Sequence, residues 1–190
     1  MSRPLTRAVL ALTTVVTAAC AGGGGAGSSS GTEPAGACMP TDATLTDGAT
    51  LAGMAGSYRL VAVAPDGATA EGRMTLTERT SGQTSIGQTS LPLQGTAEID
   101  FAAVGAAALP GMDSDDPARP GVLVLESDEE EGRRILVRFG MQANDLGQPA
   151  FDGSFTLLEP REISGNGFRG SWRSGGAAPS RSGHFCAWPA

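Results

Sequence analysis

Four residues mark where nucleophilic or soft-metal chemistry has to begin in this chain: one histidine, His184, and three cysteines, Cys20, Cys38 and Cys186. A Ser-His-Asp arrangement would have to use His184, with a serine carried to it by the fold. No Gly-x-Ser-x-Gly elbow falls on a strand-to-helix pattern. Ser182-Gly183-His184 instead opens the last apolar run, which turns the imidazole toward solvent or a neighbouring strand. All 13 basic residues are arginine. With no lysine there is no P-loop ATPase and no Schiff-base chemistry. A zinc site built on several histidines is excluded, and two cysteines without a further soft ligand nearby in sequence make a poor one.

The carboxylates are more numerous, 20 against 13 basic residues for a net charge of −7. Asp113, Asp115 and Asp116 cluster in a loop bounded by Pro and Gly, but the EF-hand spacing is absent, so a solvated acidic loop is expected rather than a calcium site. Asp128, Glu129, Glu130 and Glu131 form a denser run followed at once by Arg133 and Arg134, which reads as a water-facing turn. A glycosidase needs two carboxylates at defined separation, and nothing in the sequence selects a pair. The acidic balance and scarce aromatics disfavour nucleic acid as a partner. The expectation is a protein with no catalytic residue, no metal and no cofactor.

The amino end points to export. Arg3 and Arg7 precede Ala8 to Ala19, a 12-residue uncharged run. A bilayer span needs about 20 residues, so the run fits the apolar part of a secretory signal. The stretch Val16-Thr17-Ala18-Ala19-Cys20 resembles a bacterial lipoprotein signal, although Thr17 stands where that pattern prefers Leu, Val or Ile. The resemblance implies cleavage after residue 19, a diacylglycerol on the Cys20 sulfur, and a lipid bilayer of the cell envelope as partner. Ordinary secretion without lipid is the alternative. Residues 21–36 are Gly- and Ser-rich and read as a tether. About 18 residues of such chain reach about 20–25 Å. The expected division is signal 1–19, tether 20–43 and one domain over 44–190. Loss of Arg3 and Arg7 leaves 20 acidic against 11 basic residues, a charge of −9. Such a surface is not drawn to anionic headgroups.

An odd cysteine count suits this division. If Cys20 carries lipid, Cys38 and Cys186 remain to pair in an oxidising compartment. Two separate thiols are the other possibility.

From Gly56 onward, runs of alternating apolar and polar residues are punctuated by Gly, Pro, Asp and Ser. Eight are counted: 57–64, 70–79, 91–101, 121–126, 133–139, 151–159, 167–173 and 184–188. The cleanest place Leu93, Ala97, Ile99 and Phe101 on one face, and Ile135, Val137 and Phe139 opposite Arg134, Leu136 and Arg138. No long amphipathic helix is found; 46–55 is expected to form a helical turn or two. The fold class is therefore all-β, an antiparallel meander closing into a small up-and-down barrel, with a two-sheet sandwich as alternative.

Met54-Ala55-Gly56-Ser57-Tyr58-Arg59-Leu60 resembles the opening of the lipocalin and calycin barrels, with Tyr58 where that family has Trp. The resemblance implies an up-and-down barrel open at one end to a ligand. Aromatic residues fall on the inferred inward faces, so two readings compete. In a hollow barrel Tyr58, Phe101, Phe139, Phe155, Phe168 and Trp172 line a pocket for a small apolar or amphipathic ligand. In a filled barrel they are the core, and the protein acts through its outer surface. The expected function is non-enzymatic binding by a membrane-anchored exported lipoprotein, in one of these two forms.

Overall fold

The computed structural model describes residues 37–45, 51–80, 85–106, 121–129, 132–140, 155–175 and 179–190. The expected signal, Cys20, most of the tether, Asp113–Asp116, Glu130, Glu131 and Phe151 lie outside these residues.

Among the described residues nine strands form: β1 (Gly56–Val63), β2 (Thr69–Glu78), β3 (Ser85–Ile86), β4 (Thr89–Ile99), β5 (Val122–Glu129), β6 (Gly132–Phe139), β7 (Phe155–Ser164), β8 (Gly167–Gly175) and β9 (Arg181–Pro189). Each long strand pairs antiparallel with the next. β2 pairs with β4 and β9 returns to β1, so eight strands close into a barrel. The meander expected from alternation is therefore a barrel and not a sandwich. β3 is a two-residue hairpin strand on the start of β4, in the stretch between the expected runs 70–79 and 91–101.

Alternation along each strand sends one row of side chains inward. Leu60, Ala62, Met74, Leu93, Ala97, Val124, Val137, Leu158, Phe168, Trp172 and Phe185 belong to one buried cluster inside the barrel. Closure on so few strands requires sharp bending, and glycine permits the close backbone approaches this creates. In β4, a Cβ on Gly95 would run into Thr75 O of β2, at the pairing that closes the barrel.

Both ends are plugged by 3₁₀ turns. At the lower end, where β1 begins, Leu51–Met54 buries Leu51 and Met54, and Tyr58 Oη donates to Gly53 O at 3.2 Å. This is the helical turn expected before the first strand, shortened to four residues. At the upper end, Phe101–Val104 is capped by Asp100, whose carboxylate accepts from Ala102 N at 3.0 Å, and ended by Gly105 at φ 72°. It buries Phe101 and Val104 over the core. The expected strand run 91–101 ends inside this turn, because Phe101 continues the β4 alternation and only the Asp100 cap marks the change.

On the outside, Cys38 and Cys186 form a disulfide with Cα atoms 5.6 Å apart, packed with Val61, Val63 and Trp188. Thr41 Oγ1 donates to Glu162 on β7 at 3.4 Å, and Leu45 packs on the core. Chain that sequence placed in the tether up to residue 43 is thus fastened to the barrel from Cys38 onward. Closing a loop of 148 residues contributes about 5 kcal/mol in the chain-entropy model. No helix among the described residues is long and apolar enough to cross a membrane.

Candidate functional site

Five of the six residues expected to line a pocket do meet inside the barrel. Tyr58 and Phe168 pack edge to face with centroids 5.0 Å apart, and Phe101 and Phe139 do the same at 5.0 Å. Phe185 extends the first pair, 6.0 Å from Phe168. Trp172 crosses beneath β9, and its Nε1 donates to Val63 O on β1 at 3.0 Å. Gly183 makes that crossing possible, since a Cβ there would strike both the indole and the Val63 carbonyl. Burial pushes the Tyr58 phenol above its ordinary pKa, because the phenolate loses water inside the lower end.

Phe155 is a correction. Thr156 and Leu158 take the inward positions of β7, so alternation turns Phe155 outward, where its half-buried ring lies against Gly175. Leu157 shares the outward row with Phe155 and is itself buried, so apolar character does not distinguish the two faces of β7. The inward place holds a hydroxyl pair instead: Thr156 Oγ1 donates to Ser174 Oγ at 2.9 Å, both buried.

The interior is occupied by side chains. A void wide enough for a bound molecule would leave exposed surface on the atoms around it. Leu60, Ala62, Val124, Val137, Leu158 and Phe185 are all 0% exposed. Edge-to-face rings and buried aliphatics meet in this interior.

His184 sits on the outer wall of β9, where its Nε2 donates to the Cys38 carbonyl at 3.1 Å. A carbonyl only accepts, so Nε2 carries the proton. The ring braces the strap that carries the disulfide. Among the described residues there is no group of three or more His, Cys, Asp or Glu side chains able to hold a metal ion.

The outer wall differs from strand to strand. Over β1 and β9, Arg59 lies 6.0 Å from the Trp188 ring centroid and pairs with Glu71 at 2.8 Å. Over β5 to β7, Leu123 and Leu157 face outward and are buried. Arg138 lies between them in register, and burial lowers its guanidinium pKa. Lower down, Arg134 reaches Glu159 at 3.6 Å, Arg161 reaches the same carboxylate at 3.0 Å, and Arg169 binds Glu162 at 2.8 Å.

The barrel wall is weakest here. The β5–β6 ladder runs from Val122↔Phe139 to Glu129↔Gly132, and β7–β8 runs from Phe155↔Gly175 to Ser164↔Gly167. Between β6 and β7 only Val137↔Leu158, Arg138↔Leu157 and Phe139↔Thr156 pair. The ladder ends just before Pro160, which has no N–H to give, and a bulge between Pro160 and Glu162 bends β7. Pro160 is the available sequence signal, and it directly follows the expected run 151–159.

No protein-family model matches the chain. No curated protein matches it. Two solved structures are similar in part. One is a structure of EF1p2_mFAP2b bound to DFHBI, at 13% identity and TM-score 0.35, covering 73% of this chain and 95% of that one. The other is a redesigned β-barrel, mFAP0, bound to DFHBI, at 14% identity and TM-score 0.31, covering 72% and 98%. Likenesses this loose say nothing of what this chain binds; its barrel is read from its own strand register.

Proposed function

We propose that this is an exported, membrane-tethered lipoprotein whose filled barrel is a rigid scaffold, binding partners through its outer surface without catalysis. The observation that carries the reading is the interior: rings in edge-to-face contact, fully buried aliphatics, and a 3₁₀ plug at each end. Tethering rests on the sequence of residues 1–36. The Cys38–Cys186 bond supports it by leaving Cys20 as the one remaining thiol. The fastening of the chain at Cys38 supports it too, because a tether then pulls on the disulfide and β9 rather than on the lower plug.

A second reading keeps a small apolar or amphipathic ligand inside the upper barrel. The Thr156–Ser174 pair favours it, since inward hydroxyls among aromatics are a way to orient a bound molecule. Intact mass of the mature full chain, recovered from the membrane of a producing bacterium, separates the two. The surface-acting reading expects the same mass under native and denaturing conditions, including a diacylglycerol retained on Cys20. Added mass found only under native conditions would establish the ligand-holding reading instead. A mature mass without lipid would overturn the tether.

A further inference from the structure

The chain from the amino end reaches the barrel on one particular wall. Cys38 packs there on the outer faces of β1 and β9, in a cluster with Val61, Cys186, Val63 and Trp188. Val61 faces outward and is still fully buried, because this strap lies over it. Trp188 stands in register with Arg59 on the same wall and is half-buried. Met39, the next residue along the strap, is 60% exposed. Among the described residues it is the one large apolar side chain so exposed. The disulfide and the His184 bond to the Cys38 carbonyl hold the residue before it, so Met39 is offered to the outside from a fixed point.

Charge does not choose what lies against this face. Arg59 pairs with Glu71, Arg169 pairs with Glu162, and Asp42 adds a carboxylate on the strap. The balance is mixed, which selects neither an acidic nor a basic partner. An exposed methionine beside a half-buried tryptophan instead suits a boundary between polar and apolar layers. Tryptophan collects at the level of lipid headgroups because its ring has an apolar body and a polar N–H.

The chain before Cys38 says which boundary is at hand. Eighteen residues separate Cys20 from Cys38. Gly- and Ser-rich chain of that length reaches about 20–25 Å. With lipid on Cys20, the wall that carries Cys38 is the one held nearest the bilayer. On so short a leash the contact is intramolecular in effect, and an attraction too weak to recruit a free protein suffices.

We infer that the β1–β9 wall seats on the bilayer that holds Cys20, with Met39 and Trp188 in the interfacial layer among headgroups of no net charge. The seat turns β5 and β6, across the closed sheet from β1 and β9, away from the membrane, and leaves the short β6–β7 seam on the open side. The inference rests on the tethered reading and gives the barrel its orientation.

Quenching by brominated lipid tests it. The mature full chain is reconstituted in vesicles of phosphatidylcholine brominated at the upper part of its acyl chains, where bromine quenches an indole only at close range. Of the two tryptophans, Trp172 is sealed inside the barrel and Trp188 is on the wall. Emission should therefore fall by up to about half, the share of one interfacial indole. The fall disappears in Trp188→Phe. It shrinks at least about twofold in Met39→Asp, whose exposed site leaves the β8–β9 amides protected. It is weaker in brominated phosphatidylglycerol, which repels an acidic chain. Full emission from a chain whose mass includes the diacylglycerol would overturn the seat and leave the tether standing. A fall that survives Trp188→Phe, that is unchanged in Met39→Asp, or that is stronger in phosphatidylglycerol would overturn it too. So would a dimer in sedimentation that Met39→Asp dissolves, since the face would then belong to a second copy. A mature mass without lipid defeats the tether, and the seat with it.

Discussion

The wall formed by β8, β9 and β1 and the wall formed by β6 and β7 enclose the same core by different means. On the first, Phe168↔Ala187 to Ser174↔Arg181 and Tyr58↔Pro189 to Val63↔His184 run as continuous ladders. Trp172 bonds across β9 to Val63, and a disulfide clamps the outside. On the second, three residue pairs hold the strands, and below them Arg134 reaches Glu159 at 3.6 Å across the gap. A backbone ladder is cooperative and shielded, whereas a single long, solvent-touched ion pair contributes about 1 kcal/mol or less. A closed barrel therefore need not be uniformly closed. Its stability sits on one side, and the other side is free to be used.

The comparison can be broken or sharpened by experiment. The largest effect is expected from Cys38→Ser/Cys186→Ser, which removes up to about 5 kcal/mol by the loop-entropy argument. Chemical denaturation measures it, and a loss below about 1 kcal/mol would mean that the clamp matters little to the strong wall. Next is Gly183→Ala. The added methyl meets the Val63 carbonyl and the Trp172 indole, and about 3 kcal/mol should be lost. The same measurement applies, and an unchanged midpoint would show that Trp172 does not cross β9 as described. Arg134→Ala, on the weak wall, should cost less than about 1 kcal/mol and speed seam amide exchange without touching the β8–β9 amides. A larger loss would place the second wall on a par with the first.

The smallest effect is a titration. Tyr58 is the single tyrosine and its phenol is raised by burial. The unfolded chain releases its proton near the ordinary value of about 10, and the folded chain holds it to higher pH. The stabilising contribution is thus whole below about pH 10 and is lost as pH climbs through the folded pKa. Denaturation midpoints across that window should fall less steeply in Tyr58→Phe than in the parent chain. Equal slopes would show that the lower end is wet rather than sealed.

Much of the barrel was legible because alternation is a local signal. Ile135, Val137 and Phe139 face in and Arg134, Leu136 and Arg138 face out, as a period of two requires. The disulfide followed from cysteine count and expected compartment. Phe155 was misplaced because the start of β7, Phe155-Thr156-Leu157-Leu158, carries large side chains on both faces, so alternation alone does not say which row turns inward. The Phe101–Val104 plug was missed for a related reason: Phe101 continues the β4 rhythm, and only the Asp100 cap distinguishes a turn from a longer strand.

By itself, the sequence determined an all-β chain of eight main strands, which residues of most strands face inward, and the cysteines available to bond. These depend on neighbours one or two positions away. Only the tertiary structure decided that the sheet closes through β2 and β4, that rings from β1, β6 and β8 fill its interior, and that the wall comes apart between β6 and β7. Those facts depend on how curvature accumulates around eight strands and on where one proline and one bulge interrupt it. No window along the chain contains that sum.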